Sequence, residues 1–403
     1  MYLGFKTQLK VTNSDTKTLL AKHAGVARHA WNWGLALTKE ILDNNKNNPE
    51  AHIKFPTSID LHKWLVALVK PEYSWYYEVS KCAPQYALKY LREAWGRCFT
   101  LKGGSPKFKK KNRDDSFTLD GAITVDNFQI KVPRIGWLKT YERLPQGVKP
   151  SSVTISRKAD KWFISFKVEI EPKPTEKNFD VLGVDLGIAS LATCSNGQVF
   201  SGVKAYKKLE KKLTKLQYHN RNKTLLSANW YKSQNRIALL HLRIANTRKD
   251  YIHKMTTSIA KNHSKVVIED LNVKGMLKCG KLAKAISDGA FAEIKRQLVY
   301  KCELYGSELI LADRWFPSSK TCCVCGSKKE SLSLCERVFD CQECHNKIDR
   351  DLNAAINLRQ CGLGVSPSRA TAVAKLGQAV PEVTPVDKKT PKSLVEAGIR
   401  TLS

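Results

Sequence analysis

The chain has 403 residues, of which 42% are hydrophobic, so it is long enough to bury a sizeable core and to form roughly two or three domains. Lysine and arginine outnumber aspartate and glutamate so strongly that the formal net charge is +31, which predicts a polyanionic partner, and nucleic acid is the one we expect. The sequence has no run of about 18 apolar residues and no signal-peptide pattern at its N-terminus, which excludes a membrane-spanning helix and predicts an intracellular protein.

The first hundred residues predict one strand followed by a helical domain. Residues 2–11 have the pattern of a strand, and Asp15 is expected to cap the helix that follows. Apolar residues recur with helical spacing again at about Ile59–Val69 and Pro84–Thr100, which predicts two further helices.

Two groups of polar residues in this region are candidate nucleic-acid contacts. Lys81 and Gln85 lie near the start of the third helix, where a solvated face would explain them equally well. The segment from Lys102 to Asn112 contains Gly and Pro, which prevent regular structure, and lysines around Phe108, which suit a loop that clamps a nucleic-acid backbone beside a stacking ring. A plain basic linker is the alternative. The lysines of this group are Lys107, Lys109 and Lys110.

The pattern changes from Ser116 onward. Residues 116–171 alternate between short strand-like runs and turn residues, which predicts a small β-barrel, and the residues around Pro172 form a linker. Residues 181–200 predict three consecutive antiparallel strands, the opening of a ribonuclease-H-like fold. Residues 204–262 predict two long basic helices, antiparallel to each other, as would suit a position along a nucleic-acid duplex.

Three short segments of this C-terminal half carry carboxylates at the end of an apolar strand or at the start of a helix. An isolated buried carboxylate is costly, so each must be solvated, paired or bound to a metal ion. Any one of them could simply mark a strand end that faces solvent. If they converge, they would form a site for two Mg²⁺ ions that clamp the attacking and leaving oxygens of a phosphodiester displacement. The segments and their acids are Val181–Ile188 with Asp185, Lys265–Leu271 with Glu269 and Asp270, and Asp349–Leu358 with Asp351.

A cysteine-rich stretch lies between the second and third of these segments, after a predicted helix from about Phe291 to Tyr305 and a strand at Leu309–Ala312. It contains two CxxC pairs, which are typical of a tetrahedral four-thiolate zinc site, and because all four positions are filled we predict a structural ion. Cys323 could in principle replace Cys322, and redox-active thiols are the alternative to a metal site. The pairs are Cys322 with Cys325 and Cys341 with Cys344, separated by 15 residues.

These segments together resemble TnpB, the insertion-sequence-encoded protein family ancestral to type V CRISPR effectors. The resemblance covers nearly the whole chain and implies an RNA-guided, flanking-motif-dependent double-stranded DNA endonuclease with a single RuvC-like site. It implies that Asp185, Glu269 and Asp351 are the catalytic acids that bind two Mg²⁺ ions, with Asp351 preferred over Asp349 because it belongs to the Asp-x-Asn-Ala-Ala pattern. The matching segments also include Val267–Met276, Asp313–Cys322, Pro106–Lys109, Ser152–Arg157 and Lys161–Phe166.

The resemblance also implies an α/β multidomain layout. A small β-barrel wedge domain (1–11 and 101–178) and a helical recognition domain (12–100) would hold a transposon-derived guide RNA and read the motif beside the target. A RuvC/ribonuclease-H-like nuclease domain (179–312 and 346–360) would carry a zinc-ribbon insertion (313–345) that holds one Zn²⁺ ion and handles the target strand. Residues 361–403 lack periodicity and are expected to form a disordered tail. We expect a monomer in the bacterial or archaeal cytoplasm, associated with the nucleoid.

Three other functions are compatible with the same residues. A DNA-joining transposase also uses three acids on a ribonuclease-H-like sheet, and its products would be joined rather than cleaved ends. A guided repressor would bind its target without cutting it, although this sequence keeps all three acids. A small CRISPR effector nuclease would have the same motifs, because only the neighbouring genes separate it from a transposon-encoded relative.

Overall fold

The computed structural model describes residues 1–113, 115–278, 280, 282–333 and 336–364. The chain divides into two compact units, of which the first covers Met1–Ile170 and the second begins at Glu171. The expected start of the tail at 361 was wrong, because the last helix continues to Gly362; the rest of the expected tail lies outside the described residues after position 364. None of the helices in these described ranges combines the length and the apolar character needed to cross a membrane.

The first unit combines helices with two antiparallel sheets. The order β1-β7-β6-β2 defines one sheet and β3-β4-β5 the other, and a bridge between Leu9 and Thr140 connects them. The helices are α1 (Ser14–Asn47), α2 (Ser58–Trp64) and α3 (Cys82–Phe99), with a π-helical turn at Leu65–Val69 and 3₁₀ turns at Pro49–Ala51 and Ser74–Tyr76. The strands are β1 (Tyr2–Gln8), β2 (Ser116–Asp120), β3 (Thr124–Asp126), β4 (Gln129–Val132), β5 (Gly136–Lys139), β6 (Ser152–Lys158) and β7 (Lys161–Glu169).

The predicted cap of the first helix was wrong. Asn13, not Asp15, is the capping residue, because its backbone is extended (φ −69°, ψ 135°) and its side chain accepts a hydrogen bond from the backbone N–H of Asp15. Asp15 instead lies in the first turn of α1, where its negative charge interacts favourably with the helix dipole. Both residues favour a helix start, and the sequence alone does not show which of them adopts the extended backbone.

The second unit is built on a five-stranded sheet of order β10-β9-β8-β11-β12. As predicted, its first three strands are antiparallel, whereas β8, β11 and β12 are parallel. Its helices are α4 (Ala205–Arg221), α5 (Ala228–Asn262), α6 (Val273–Met276), α7 (Ala283–Gly289), α8 (Phe291–Tyr305) and α9 (Arg350–Gly362). Its strands are β8 (Phe179–Asp185), β9 (Ala192–Cys194), β10 (Val199–Phe200), β11 (His263–Glu269), β12 (Glu308–Ala312), β13 (Val338–Asp340) and β14 (Lys347–Asp349).

Helices α4 and α5 pack against each other through an apolar stripe, which confirms the predicted helix pair. Leu213, Leu240 and Ile244 are buried between them. The other faces of α4 are strongly basic, and their long side chains keep the charged groups in water. The exposed lysines of α4 are Lys207, Lys208, Lys211, Lys212 and Lys215.

A fully buried lysine lies where α8 packs against α5. The Lys301 ammonium donates hydrogen bonds at 2.7–2.8 Å to the backbone oxygen of His253 and to the hydroxyls of Thr256 and Thr257. Removal from water lowers the pKa of Lys301 to about 7, although the negative charge of Glu293 acts in the opposite direction. The two helices therefore enclose a lysine side chain that gains or loses its proton near neutral pH.

Candidate functional site

Two of the predicted acids lie side by side at one edge of the five-stranded sheet. Strands β8 and β11 are parallel neighbours in which Val184 pairs with Ile268. Asp185 and Glu269 are the next residues of the two strands, so their side chains leave the sheet at the same carboxyl edge. Parallel pairing, which the apolar runs alone could not specify, is what brings them together.

Helix α9 lies very close to the sheet because glycines occupy the points of contact. A Cβ added to Gly183 of β8 would lie 2.0 Å from the backbone oxygen of Ala355 and 2.5 Å from the nitrogen of Arg359. A Cβ on Gly362, at the other end of the helix, would lie 2.4 Å from Cγ2 of Val267. Without these glycines the helix could not lie so close to the sheet, and its first turn could not reach the strand ends.

The first turn of α9 contains two acids with different surroundings. Asp349 is the N-cap, and its Oδ1 accepts hydrogen bonds from the backbone N–H groups of Asp351 and Leu352 at 2.9 and 3.0 Å. Asp351 is not used in this way: its Oδ2 lies 3.9 Å from the position of a Cβ on Gly187, two residues after Asp185. The structure thus brings Asp351 to the edge that carries Asp185 and Glu269.

The surroundings of Asp185 oppose the ionisation of its carboxyl group. Removal of its carboxyl group from water raises the pKa of Asp185 to about 8, and the negative charges of Glu269 and Asp351 raise it in the same direction. The three carboxylates are not tightly clustered: across the described ranges, the four cysteines are the group of three or more potential ligands whose donor atoms all lie within 4.8 Å of one another.

Asp270, which follows Glu269, forms ion pairs with two basic side chains. Its carboxylate accepts hydrogen bonds from Lys295 at 2.6 Å and from Arg314 at 2.7 Å. These bonds and charges lower the pKa of Asp270. Of the two adjacent acids, Glu269 is therefore the one without a cationic partner among the described residues.

The structure also reveals contacts of residues to which the sequence analysis assigned no role. The hydroxyl of Ser318 donates a hydrogen bond to Oε1 of Glu269, and the side chains of Asn353 and Asn357 on α9 hold the segment that contains this serine. One signal was available: two asparagines four residues apart, on the face of a helix that is otherwise apolar, must find partners when buried. Ser318 left no such signal, because its partner is distant in the sequence.

The four predicted cysteines form one compact cluster. The sulfurs of Cys322 and Cys344 are 3.6 Å apart, those of Cys325 and Cys341 are 3.5 Å apart, and all four lie within 4.8 Å of one another. Although burial opposes ionisation of Cys341, backbone N–H groups of Cys344 and Glu343 lower the pKa of this thiol to about 7. Four thiols at these distances match the ligand set of a tetrahedral zinc site, and they cannot all ionise without a cation between them.

Two neighbours of the cluster have other positions. Cys323, the possible substitute for Cys322, is buried outside the cluster and donates its backbone N–H to Asn353. The first CxxC pair turns at Gly326, whose φ of 78° favours glycine. The second pair lies in the turn between β13 and β14, where Val338 pairs with Asp349.

The predicted nucleic-acid contacts of the first unit lie on two surfaces. Lys81 and Gln85 are exposed at the start of α3, and Lys107 and Lys110 are exposed in a segment without regular structure. That segment is fastened to α1: Trp31 donates to the backbone oxygen of Lys107 at 3.0 Å. The ammonium of Lys109 lies 4.1 Å from the centre of the Trp31 ring, so this lysine is engaged within the protein.

Comparison with known proteins identifies relatives that align over most of this chain. The chain is 32% identical over 414 residues to InsQ of Escherichia coli K12, which is named as an RNA-guided DNA endonuclease, and the alignment covers 98% of each protein. It is 37% identical over 311 residues to a Streptomyces pristinaespiralis protein given the same description, covering 73% of this chain and 76% of the relative.

Family models and a solved structure agree with these relatives. The OrfB_IS605 model, described as a probable transposase, matches residues 165–280, and a model of the Cas12f1-like TNB domain matches 291–358. A helix-turn-helix model of the OrfB_IS605 type matches 1–47, which here form β1 and α1. The Cas12f1–sgRNA–target DNA complex has a similar α/β fold, with a TM-score of 0.55 at 16% identity over 87% of this chain and 83% of that one.

Proposed function

Because the chain belongs to the TnpB family of RNA-guided DNA endonucleases, we propose that it is itself a guide-RNA-dependent nuclease that cuts double-stranded DNA beside a short flanking motif. In this proposal base pairing with the guide selects the target, while the protein recognises the flanking motif and the shape of the heteroduplex. The formal charge of +31 supports binding of two polyanions, guide and target.

The observation that carries the proposal is the meeting of three acids from distant segments at one sheet edge. Asp185, Glu269 and Asp351 would hold two Mg²⁺ ions, because hard divalent cations prefer carboxylate oxygens. When bound, such ions supply activation of water and stabilisation of the leaving 3′-oxygen. The chain contributes the geometry: Asp349 caps α9 and Asp270 is held by two cations, whereas Asp351 contacts Arg350 through Oδ1 at 3.4 Å and directs Oδ2 toward Gly187.

Without its cations the site disfavours three negative charges. The raised pKa of Asp185 reflects this, since burial and two neighbouring carboxylates all oppose its ionisation. A pair of divalent cations would compensate these charges. The same edge is therefore expected to bind Mg²⁺ with release of a proton near neutral pH.

The four-cysteine cluster would hold one structural Zn²⁺ ion within an insertion at 313–345. We propose that this zinc ribbon belongs to a RuvC/ribonuclease-H-like nuclease domain at 179–312 and 346–360. The sheet order and the antiparallel opening of the second unit support that assignment. The exposed lysines of α4 would contact a nucleic-acid backbone there.

The first unit would bind the guide RNA and the flanking duplex. In this proposal residues 1–11 and 101–178 are the β-barrel wedge domain and residues 12–100 the helical recognition domain. Lys81 and Gln85 would contact the flanking motif, and the basic loop would contact phosphates. Its lysines are Lys107, Lys109 and Lys110, and the pairing of Lys109 with Trp31 supports a positioning contribution for that one. We expect the assembled complex to contain one copy of the chain.

A DNA-joining transposase is the second candidate, because the family model over 165–280 is described as a probable transposase. The two functions predict different products from the same acids. A nuclease leaves cleaved ends, whereas a transposase joins ends to a second DNA. Sequencing the products of a reaction with excess acceptor DNA separates them.

The deciding experiment is to express the protein with its native downstream DNA and to sequence the RNA that copurifies. We expect one species with a structured body and a variable terminal segment, and Mg²⁺-dependent cleavage of DNA that matches this segment. Asp185→Ala should abolish cleavage and leave RNA and target binding nearly intact. Loss of binding in that variant would instead give Asp185 a structural role, and absence of a defined RNA would favour an unguided enzyme.

A further inference from the structure

Ser318 is a buried serine all of whose polar groups are engaged. It is 2% exposed, its hydroxyl donates to Oε1 of Glu269, and its backbone N–H donates to the carbonyl of Phe316 at 2.8 Å. Its own carbonyl accepts a hydrogen bond from Asn357 at 2.7 Å. The two backbone bonds hold the main chain of Ser318 in place, and its hydroxyl is directed at the Glu269 carboxylate.

Two asparagines of α9 hold the segment that carries this serine. Nδ2 of Asn357 donates to the carbonyls of both Ser318 and Thr321, and Nδ2 of Asn353 donates to the Thr321 carbonyl, all at 2.7 Å. The backbone N–H of Cys323 donates to Oδ1 of Asn353 at 2.9 Å. Both asparagines are fully buried, so these bonds exclude water and are costly to break.

This arrangement connects two of the three acids. Asp351 lies on the same helix as the two asparagines, and Glu269 accepts the hydroxyl that those asparagines hold in place. The bond engages Oε1 of Glu269 and leaves Oε2 for a cation. The hydrogen bond thus fixes the Glu269 carboxylate relative to the helix that carries Asp351. Hydrogen-bond partners that orient a metal ligand in this way raise the affinity of the site for the metal.

We propose that Ser318, held by Asn353 and Asn357, is a positioning residue for the metal site of this protein, acting by orienting the Glu269 carboxylate toward the catalytic cations. The inference rests on the proposed nuclease function for its chemistry. The hydrogen bonds that support the inference are all within the folded chain and do not depend on that function.

The test replaces the hydroxyl and measures metal binding directly. Ser318→Ala keeps both backbone hydrogen bonds of the serine and loses only the bond to Glu269. The matched control is Ser319→Ala, an adjacent serine, and Glu269→Gln removes the ligand itself. Mn²⁺, used as the probe in place of Mg²⁺, is titrated into each purified zinc-loaded protein, and free Mn²⁺ is followed by electron paramagnetic resonance.

We expect Ser318→Ala to weaken Mn²⁺ binding by about 10- to 100-fold, Glu269→Gln to weaken it at least as much, and Ser319→Ala to have no effect. In the guide complex, Ser318→Ala should raise the Mg²⁺ concentration for half-maximal cleavage by a similar factor while target binding is unchanged. Excess Mg²⁺ should restore most of the cleavage rate. A merely structural serine would not produce this metal dependence.

Two results would overturn the proposal. One is a Ser318→Ala protein that binds Mn²⁺ as the Ser319→Ala protein does. The other is a Ser318→Ala protein that unfolds at much lower temperature than the control, because the hydroxyl would then serve the fold rather than the site. If the wild-type complex does not cut guide-matched DNA, the proposed function fails, whereas the Mn²⁺ comparison still decides the role of Ser318.

Discussion

Replacing Gly183 with alanine is expected to separate DNA cleavage from target binding. The new Cβ would lie 2.0 Å from the backbone oxygen of Ala355, whereas ordinary contacts begin at about 3.4 Å. Helix α9 would have to retreat by roughly 1 Å or more, since both obstructing atoms belong to its backbone and cannot rotate away. Asp351, in the first turn of this helix, would move away from Asp185 with it.

The magnitude follows from that displacement. Overpacking of this kind costs about 1–3 kcal/mol of unfolding free energy, and a misplacement of about 1 Å at a reacting centre can lower the rate about 100-fold. We therefore expect a cleavage rate reduced by about two orders of magnitude, with guide RNA and target affinity within about twofold of wild type. Gly362→Ala should be milder, because its Cβ would meet a Val267 methyl group that can shift.

The assay is single-turnover cleavage of guide-matched DNA, accompanied by target binding in Ca²⁺ and by thermal unfolding. Gly280→Ala is the matched control, because a Cβ there meets no atom within 4 Å. A Gly183→Ala protein that cuts and unfolds like this control would show that the helix does not need its close approach to the sheet. The account of how Asp351 reaches the site would then be wrong.

Three further perturbations test other parts of the molecule. Zinc should copurify at about one ion per chain, and Cys341→Ser should lose it and lower the unfolding temperature, whereas Cys361→Ser, outside the cluster, should retain it. Without added Mg²⁺, Asp185→Asn should be more stable than wild type at pH 7 by up to about 4 kcal/mol. The reason is that the raised pKa of Asp185 lowers the free energy of unfolding of the wild type as pH rises from about 4 to 8. Added Mg²⁺ should stabilise only the wild type, and equal stabilisation of both proteins would mean that the ions bind elsewhere. The pKa of Lys301 is lowered on folding to about 7, so the unfolded chain binds more protons above that pH and wild-type stability should rise by about 2–3 kcal/mol from pH 7 to pH 9 relative to Lys301→Met, as measured by denaturant unfolding. Parallel pH profiles for these two proteins would contradict the burial of a titrating ammonium.

Elements with a strong local pattern could be predicted from the sequence. The helix at Phe291–Tyr305 has the bounds that the sequence predicted, and the predicted helix pair of the second unit packs through an apolar stripe of leucine and isoleucine. The cysteine cluster was also predictable, because the spacing of two CxxC pairs fixes four sulfurs around one point. In each case neighbours in the sequence carry the information.

Contacts between distant segments could not be predicted in the same way. The meeting of β8 with β11 depends on parallel pairing between residues about 80 positions apart, which no local pattern encodes. The position of α9 depends on Gly183, whose lack of a side chain has meaning only when the opposing backbone is known. Ser318 is one serine among many until its partner is identified. The assignment of the three acids as metal ligands stays a prediction that the Mn²⁺ and cleavage experiments test.

The hydrogen bonds of α9 also explain how a large excursion of chain can interrupt the second unit. The chain leaves the sheet after Ala312, is bound to α9 at Ser318 and Thr321, and returns through β14 directly into the start of the same helix. Departure and return are therefore anchored on one rigid element. The stretch between these anchors is also bonded to α9, since Cys323 donates its backbone N–H to Asn353 and the Arg337 carbonyl accepts the backbone N–H of Arg350. A change of length or sequence within this stretch would therefore leave the acids in place only if it preserved these bonds to the helix that carries Asp351.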